Sequence, residues 1–161
     1  MCGIAGYIGS RVIPDAKAEE CLRRMERRGP DHAAFTRHVT PAEQQVLLLH
    51  SRLNIIDLED RARQPFAVGS KSFIYNGELY NYIELRERLE RCGVAFSTQS
   101  DTEVFIRAID RNGWGVLDDA DGMWALAVYD RDDGSLTLSR DRFGEKPLYL
   151  YRAGHGIYFG S

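Results

Sequence analysis

No stretch of this sequence approaches the roughly 18 consecutive apolar residues that a membrane-spanning helix needs, and no membrane association is expected. Basic residues are not in excess. Lys and Arg number 21 against 24 Asp and Glu, a net charge of −3, which argues against a dedicated nucleic-acid binder. Cysteine is scarce. Cys2, Cys21 and Cys92 are odd in number and far apart, so they form neither a disulfide framework nor a CxxC metal pattern. His32, His38, His50 and His155 lack metal-ligand spacing, and no metal or other cofactor is expected in these residues. Gly69-Ser70-Lys71-Ser72 lacks the glycine directly before the lysine, and its spaced partner glycine, that a phosphate loop requires. Met1 to Gly9 carry neither a basic leader nor a long apolar stretch, so no signal peptide is expected. The expectation is a reduced, cytoplasmic globular domain.

What is present suits one domain. At 161 residues the chain can bury about 70% of the surface its unfolded form exposes, enough for a core without staples. Ile4 to Ile8, bounded by glycines, predicts a buried strand. Pro14-Asp15 opens a helix that runs toward the Gly29-Pro30 stop, with Ala18, Cys21, Leu22 and Met25 on one face. Arg23, Arg24, Arg27 and Arg28, interleaved with Glu19, Glu20 and Glu26, read as a solvated helix face. Strands are expected at 45–49, 53–56 and 72–75, and helices at 82–91 and after Asp101. Four more strands, at 123–129, 135–139, 147–151 and 156–159, close the chain, the first two joined by the Asp132-Asp133-Gly134 turn. Strands and helices come in separate runs, which favours an α+β fold with mostly antiparallel sheets.

Cys2 is the first chemical candidate. Removal of Met1 would put a thiol and a free α-amine on one residue. With pKa values near 8.5 and about 7.7–8.0, the amine can take the thiol proton and return it later to a leaving group. The plainer alternative is a second-position cysteine with no role. Arg52 is either a strand-edge surface residue or a ligand for an anion. Asn76-Gly77 is either a turn pair or an oxyanion hole made from a side-chain amide and a backbone N–H. Ser100-Asp101-Thr102-Glu103 is a helix N-cap with acidic first-turn residues, or it presents Asp101 to an ammonium group.

Met1-Cys2-Gly3-Ile4, Arg28-Gly29-Pro30-Asp31, Arg52-Leu53, Ile55-Ile56-Asp57, Gln64-Pro65, Asn76-Gly77-Glu78-Leu79-Tyr80-Asn81, Ser100-Asp101-Thr102-Glu103, Asp121-Gly122-Met123-Trp124-Ala125 and Arg140-Asp141-Arg142-Phe143-Gly144 follow one another almost end to end. In that order and spacing the chain resembles the class II glutamine amidotransferase domain, of the N-terminal nucleophile hydrolase fold. Within that group it is similar to the N-terminal glutaminase domain of glutamine-hydrolysing asparagine synthetases.

The resemblance implies a four-layer αββα sandwich over residues 1–161 and hydrolysis of glutamine to glutamate and ammonia. It implies Cys2 as nucleophile and Asn76 and Gly77 as the oxyanion hole. Arg52 would bind the α-carboxylate, Glu78 and Asp101 the α-ammonium, and Leu53, Asn54, Ile55 and Ile56 would line the pocket. Arg28 to Asp31 is expected to be structural or interfacial. Two positions depart from the family pattern: Asn54 stands where serine is frequent, and Glu145 where an apolar residue is common. The synthetase domain to which such domains pass ammonia, with its ATP and magnesium, is absent from these residues. It would be supplied in cis or in trans, and the resemblance leaves room for a homodimer. The rival expectation is a non-catalytic docking or regulatory module, or a glutaminase half serving an acceptor other than aspartate.

Overall fold

The computed structural model describes residues 2–161; Met1, on whose removal a free Cys2 amine depends, lies outside them. The chain forms β1 (Gly3–Gly9), α1 (Asp15–Met25), β2 (His32–Val39), β3 (Gln45–Arg52), β4 (Phe66–Val68), β5 (Lys71–Leu79), α2 (Tyr82–Arg91), α3 (Asp101–Asn112), α4 (Val116–Asp119), β6 (Gly122–Asp130), β7 (Leu136–Arg140), β8 (Tyr149–Ala153) and β9 (Gly156–Gly160). One sheet has the order β2-β3-β1-β9-β8 and the other β4-β5-β6-β7, with every named pairing antiparallel.

Three apolar clusters define the layers. Tyr7, Leu47 and Leu49 of the first sheet pack on Ala18 and Leu22 of α1. The opposite face of that sheet (Ile4, Val46, Leu48) meets Ile74, Ala125, Ala127 and Tyr129 of the second sheet. The second sheet's other face (Phe73, Tyr75, Leu79, Trp124, Leu126) packs on Leu85 and Leu89 of α2 and Phe105 and Ile109 of α3. Helix, sheet, sheet and helices therefore stack in four layers, as the α+β expectation has it. The period-2 alternation of each strand is what sorts its residues between two cores.

The expected helix at 82–91 forms, and α3 begins where the acidic cluster predicts, with Ser100 Oγ accepting from Thr102 N. The β6–β7 hairpin forms in register, Leu126 opposite Ser139. One expectation is corrected: residues 53–56 are not a strand. The strand before them runs on to Arg52, and the chain then curls because the Arg52 guanidinium gathers the carbonyls of Ile56, Asp57 and Glu59 beneath it. Asp57 takes a positive φ of 53° in that curl.

Candidate active site

The alternation that builds the inter-sheet core also builds the site. Counting by twos, Val46 and Leu48 lead to His50 and Arg52 on β3, Ile4 leads back to Cys2, and Ile74 leads on to Asn76 and Glu78 on β5. Where the two sheets reach their end, the apolar stripe gives way to polar side chains facing one another. Cys2, Arg52, Leu53, Ile55, Ile56, Gln64, Tyr75, Asn76, Gly77, Glu78, Asp101 and Lys146 line a single cleft there.

Cys2 is half-buried, and its Sγ accepts a hydrogen bond from Leu53 N at 3.4 Å. Burial raises the thiol pKa above its ordinary 9.0, and the Leu53 N–H and the Arg52 charge oppose that rise. The Cys2 carbonyl accepts from Nε and Nη2 of Arg28, both at 3.3 Å. Arg28 is thus more than part of a solvated face: it is exposed, yet it holds the backbone of the thiol residue. Asp31 Oδ2 accepts from Asn54 N at 2.7 Å. Gly29 lies so close to the Ser51–Arg52 backbone that a Cβ there would overlap it. The 28–31 segment therefore braces both the thiol residue and the loop that supplies its hydrogen bond.

Arg52 is 5% exposed and donates to the carbonyls of Glu59 (3.1 Å), Ile56 (3.5 Å) and Asp57. Asp57 in turn accepts from Gln99 N at 2.6 Å and Glu59 N at 3.1 Å, joining this curl to the segment before α3. Asp101, 6% exposed, accepts at Oδ2 from Leu79 N (3.1 Å) and the Tyr75 hydroxyl (3.2 Å). Burial raises its pKa, and those same donors work against the rise. Glu103, fully buried, accepts from Ser97 N and Thr98 N and pairs with Arg107 at 2.7 Å, which fixes the approach to the Ser100 cap.

Asn76 is 1% exposed, and its Nδ2 donates to Ser161 Oγ at 2.9 Å. At Gly77 a Cβ would run into the Met123 carbonyl and the Tyr75 ring, so glycine is demanded by the β5–β6 approach whatever else it does. Of the expected pocket segment, Leu53, Ile55 and Ile56 reach the cleft wall. Asn54 does not, and turns its N–H to Asp31. Glu145, the other departure, is exposed and contributes its backbone N–H to Asp141 Oδ1 at 2.9 Å, a bond that does not depend on its side chain.

Gln64, Tyr75 and Lys146 are wall residues that sequence reasoning did not place. Gln64 bridges Tyr75 N (2.6 Å) and Thr102 Oγ1 (3.2 Å). Its only sequence signal is the Gln64-Pro65 pair. Among the described residues no group of His, Cys, Asp and Glu is arranged to hold a metal, and no helix is long and apolar enough to cross a membrane.

A cleft with a thiol at one point, a guanidinium and two carboxylates at others, and a buried amide opposite is suited to gripping a zwitterion by both ends while a nucleophile reaches its side chain. A family model described as a glutamine amidotransferase domain matches residues 1–161. Asparagine synthetase [glutamine-hydrolyzing] 1 of Bacillus subtilis is 35% identical over 168 residues, covering 100% of this chain and 26% of that protein. Putative asparagine synthetase [glutamine-hydrolyzing] 2 of Methanocaldococcus jannaschii is 31% identical over 179 residues, covering 100% of this chain and 34% of that protein. Among solved structures, glutamine phosphoribosylpyrophosphate amidotransferase from B. subtilis, complexed with ADP and GMP, shares the fold. The TM-score is 0.80 at 19% identity, over 99% of this chain and 41% of that one. The chain thus spans about a fifth to a third of the length of the curated relatives it matches.

Proposed function

The chain belongs to the class II glutamine amidotransferase domain family, and from that premise we propose that it hydrolyses the side-chain amide of L-glutamine to glutamate and ammonia through Cys2. The observation that carries the reading is the convergence of Cys2, Arg52, Asn76, Gly77, Glu78 and Asp101 on one cleft, from the residue before β1 and from β3, β5 and α3. Arg52 takes the α-carboxylate, and Glu78 with Asp101 takes the α-ammonium. A side chain of glutamine length then brings its amide to the thiol.

The α-amine of Cys2, free once Met1 is removed, accepts the thiol proton. Sulfur attacks the amide carbon, and the tetrahedral oxyanion rests on the Asn76 amide and the Gly77 N–H. The C–N bond breaks, and ammonia leaves with the proton from the α-amine. Water, deprotonated by the same amine, cleaves the γ-glutamyl thioester to release glutamate and restore the thiol. No metal or cofactor enters these steps.

The names of the relatives support asparagine as the eventual product, formed from aspartate in an ATP- and magnesium-dependent synthetase domain supplied in cis or in trans. The test is glutamate formation from glutamine by the parent and by Cys2→Ala. Turnover in the parent and none in the variant is expected. Silence in a parent whose intact mass confirms loss of Met1 overturns the reading in favour of a non-catalytic docking module.

A further inference from the structure

Resting on that glutaminase reading, we propose that Ser161 is a positioning residue for the oxyanion-binding amide of Asn76. The Asn76 side chain is buried, and its Oδ1 has no hydrogen-bond partner among the described residues. What restrains the amide is the bond from Nδ2 to Ser161 Oγ at 2.9 Å. An amide nitrogen carries two hydrogens. One is engaged by the serine hydroxyl, which stops the side chain from swinging and leaves the other for a ligand in the cleft.

Ser161 is itself anchored by backbone alone. Its N–H donates to the Ile4 carbonyl at 2.9 Å, and its carbonyl accepts from Ile4 N at 3.4 Å. The residue therefore rides on β1, two positions from the thiol, while its hydroxyl crosses to β5 in the other sheet. It does not line the cleft, so its route to a bound ligand runs through the Asn76 amide. One hydroxyl transfers the position of the nucleophile's strand to the group that must meet the oxyanion. The backbone anchors survive an alanine substitution, so Ser161→Ala frees the amide without detaching the strand.

The experiment compares the parent, Ser161→Ala and Ser161→Thr. Removing an oxyanion donor outright costs about 100- to 1,000-fold in rate, and a donor left in place but mobile is expected to lose about 10- to 100-fold in kcat. KM for glutamine stays within about twofold, because the ground-state contacts at Arg52 and Asp101 are untouched. Inhibition by the aldehyde analogue of glutamine, whose adduct with Cys2 carries an oxygen in the hole, weakens by the factor lost in kcat, while glutamate affinity is unchanged. Ser161→Thr restores both.

Parental kcat in Ser161→Ala overturns the inference and leaves the glutaminase reading standing. So does a loss shared by glutamate binding, or a loss accompanied by a lowered melting temperature that threonine does not repair, since each marks a general structural role. A parent that forms no glutamate under conditions where Met1 is absent fails at the earlier step, and the inference falls with it.

Discussion

Arg52 has two duties, and they separate on substitution. Its guanidinium holds three carbonyls of the curl after β3 and lines the cleft beside Cys2. A lysine keeps the charge but not the planar fork. Arg52→Lys is therefore expected to raise KM for glutamine by about 10- to 100-fold, the loss of one or two charge-assisted hydrogen bonds, while kcat moves little. Steady-state kinetics decide it, and an unchanged KM means that the carboxylate is held elsewhere. Arg52 could be singled out in the sequence only because the motifs around it resemble a family. Nothing in its spacing separates it from Arg61 or Arg63. The same resemblance marks Arg28 only as structural or interfacial, and nothing in the sequence marks Ser161. Each acts through a backbone or side-chain partner far along the chain, Cys2 and Asn76 respectively, and a partner at such separation leaves no local trace.

Between the strands β7 and β8, one carboxylate organises a whole connection. Asp141 Oδ1 accepts from Phe143 N and Glu145 N, and Oδ2 accepts from Trp124 N and Lys146 N, at 2.9 to 3.2 Å. Burial acts to raise this carboxyl's pKa, but the backbone donors of Lys146, Glu145 and Trp124 override it and the net shift is downward. Asp141→Ala strands those donors at the edge of the cleft. A loss of about 2–4 kcal/mol in urea unfolding is expected, with Lys146 displaced from the wall. A variant as stable as the parent shows that the loop does not depend on this anchor. Elements with a strong internal period were readable in advance: β1, α2, α3 and the β6–β7 hairpin. The strand β2 was not, because nearly all its residues are half-buried and no alternation marks it. The short apolar run at 53–56 misled for the opposite reason. It has a strand's composition, but its shape is dictated by a side chain, Arg52, that binds the following carbonyls.

At the scale of the molecule, two sheets share one interior, and His50 sits in it. Fully buried, it meets the Tyr75 carbonyl through Nε2 at 3.2 Å, and burial lowers its pKa to about 3. The folded protein keeps this imidazole neutral while the unfolded chain protonates it below about 6.5. The unfolded state therefore binds more protons in that window, and stability falls as pH drops from 6.5 toward 3, by up to about 1.4 kcal/mol per unit. Urea midpoints between pH 7 and 4 should decline more steeply for the parent than for His50→Gln, with the His50 ring proton keeping its neutral chemical shift down to pH 5. Equal slopes, or an early shift of that proton, rule out a buried neutral imidazole. The arrangement of the sheet containing β1 has a further consequence, for the chain as it is being made. Cys2 directly precedes β1, which comes before every other described strand in chain order, yet β1 lies between β3 and β9 and pairs Ala5 with Gly160. Synthesis at about 5–20 residues per second keeps β1 waiting about 8–30 seconds for that neighbour. Until β9 emerges, Cys2 has no Ser161 near it and the Asn76 amide lacks its hydroxyl partner, so a growing or prematurely broken chain carries the cysteine without the completed cleft.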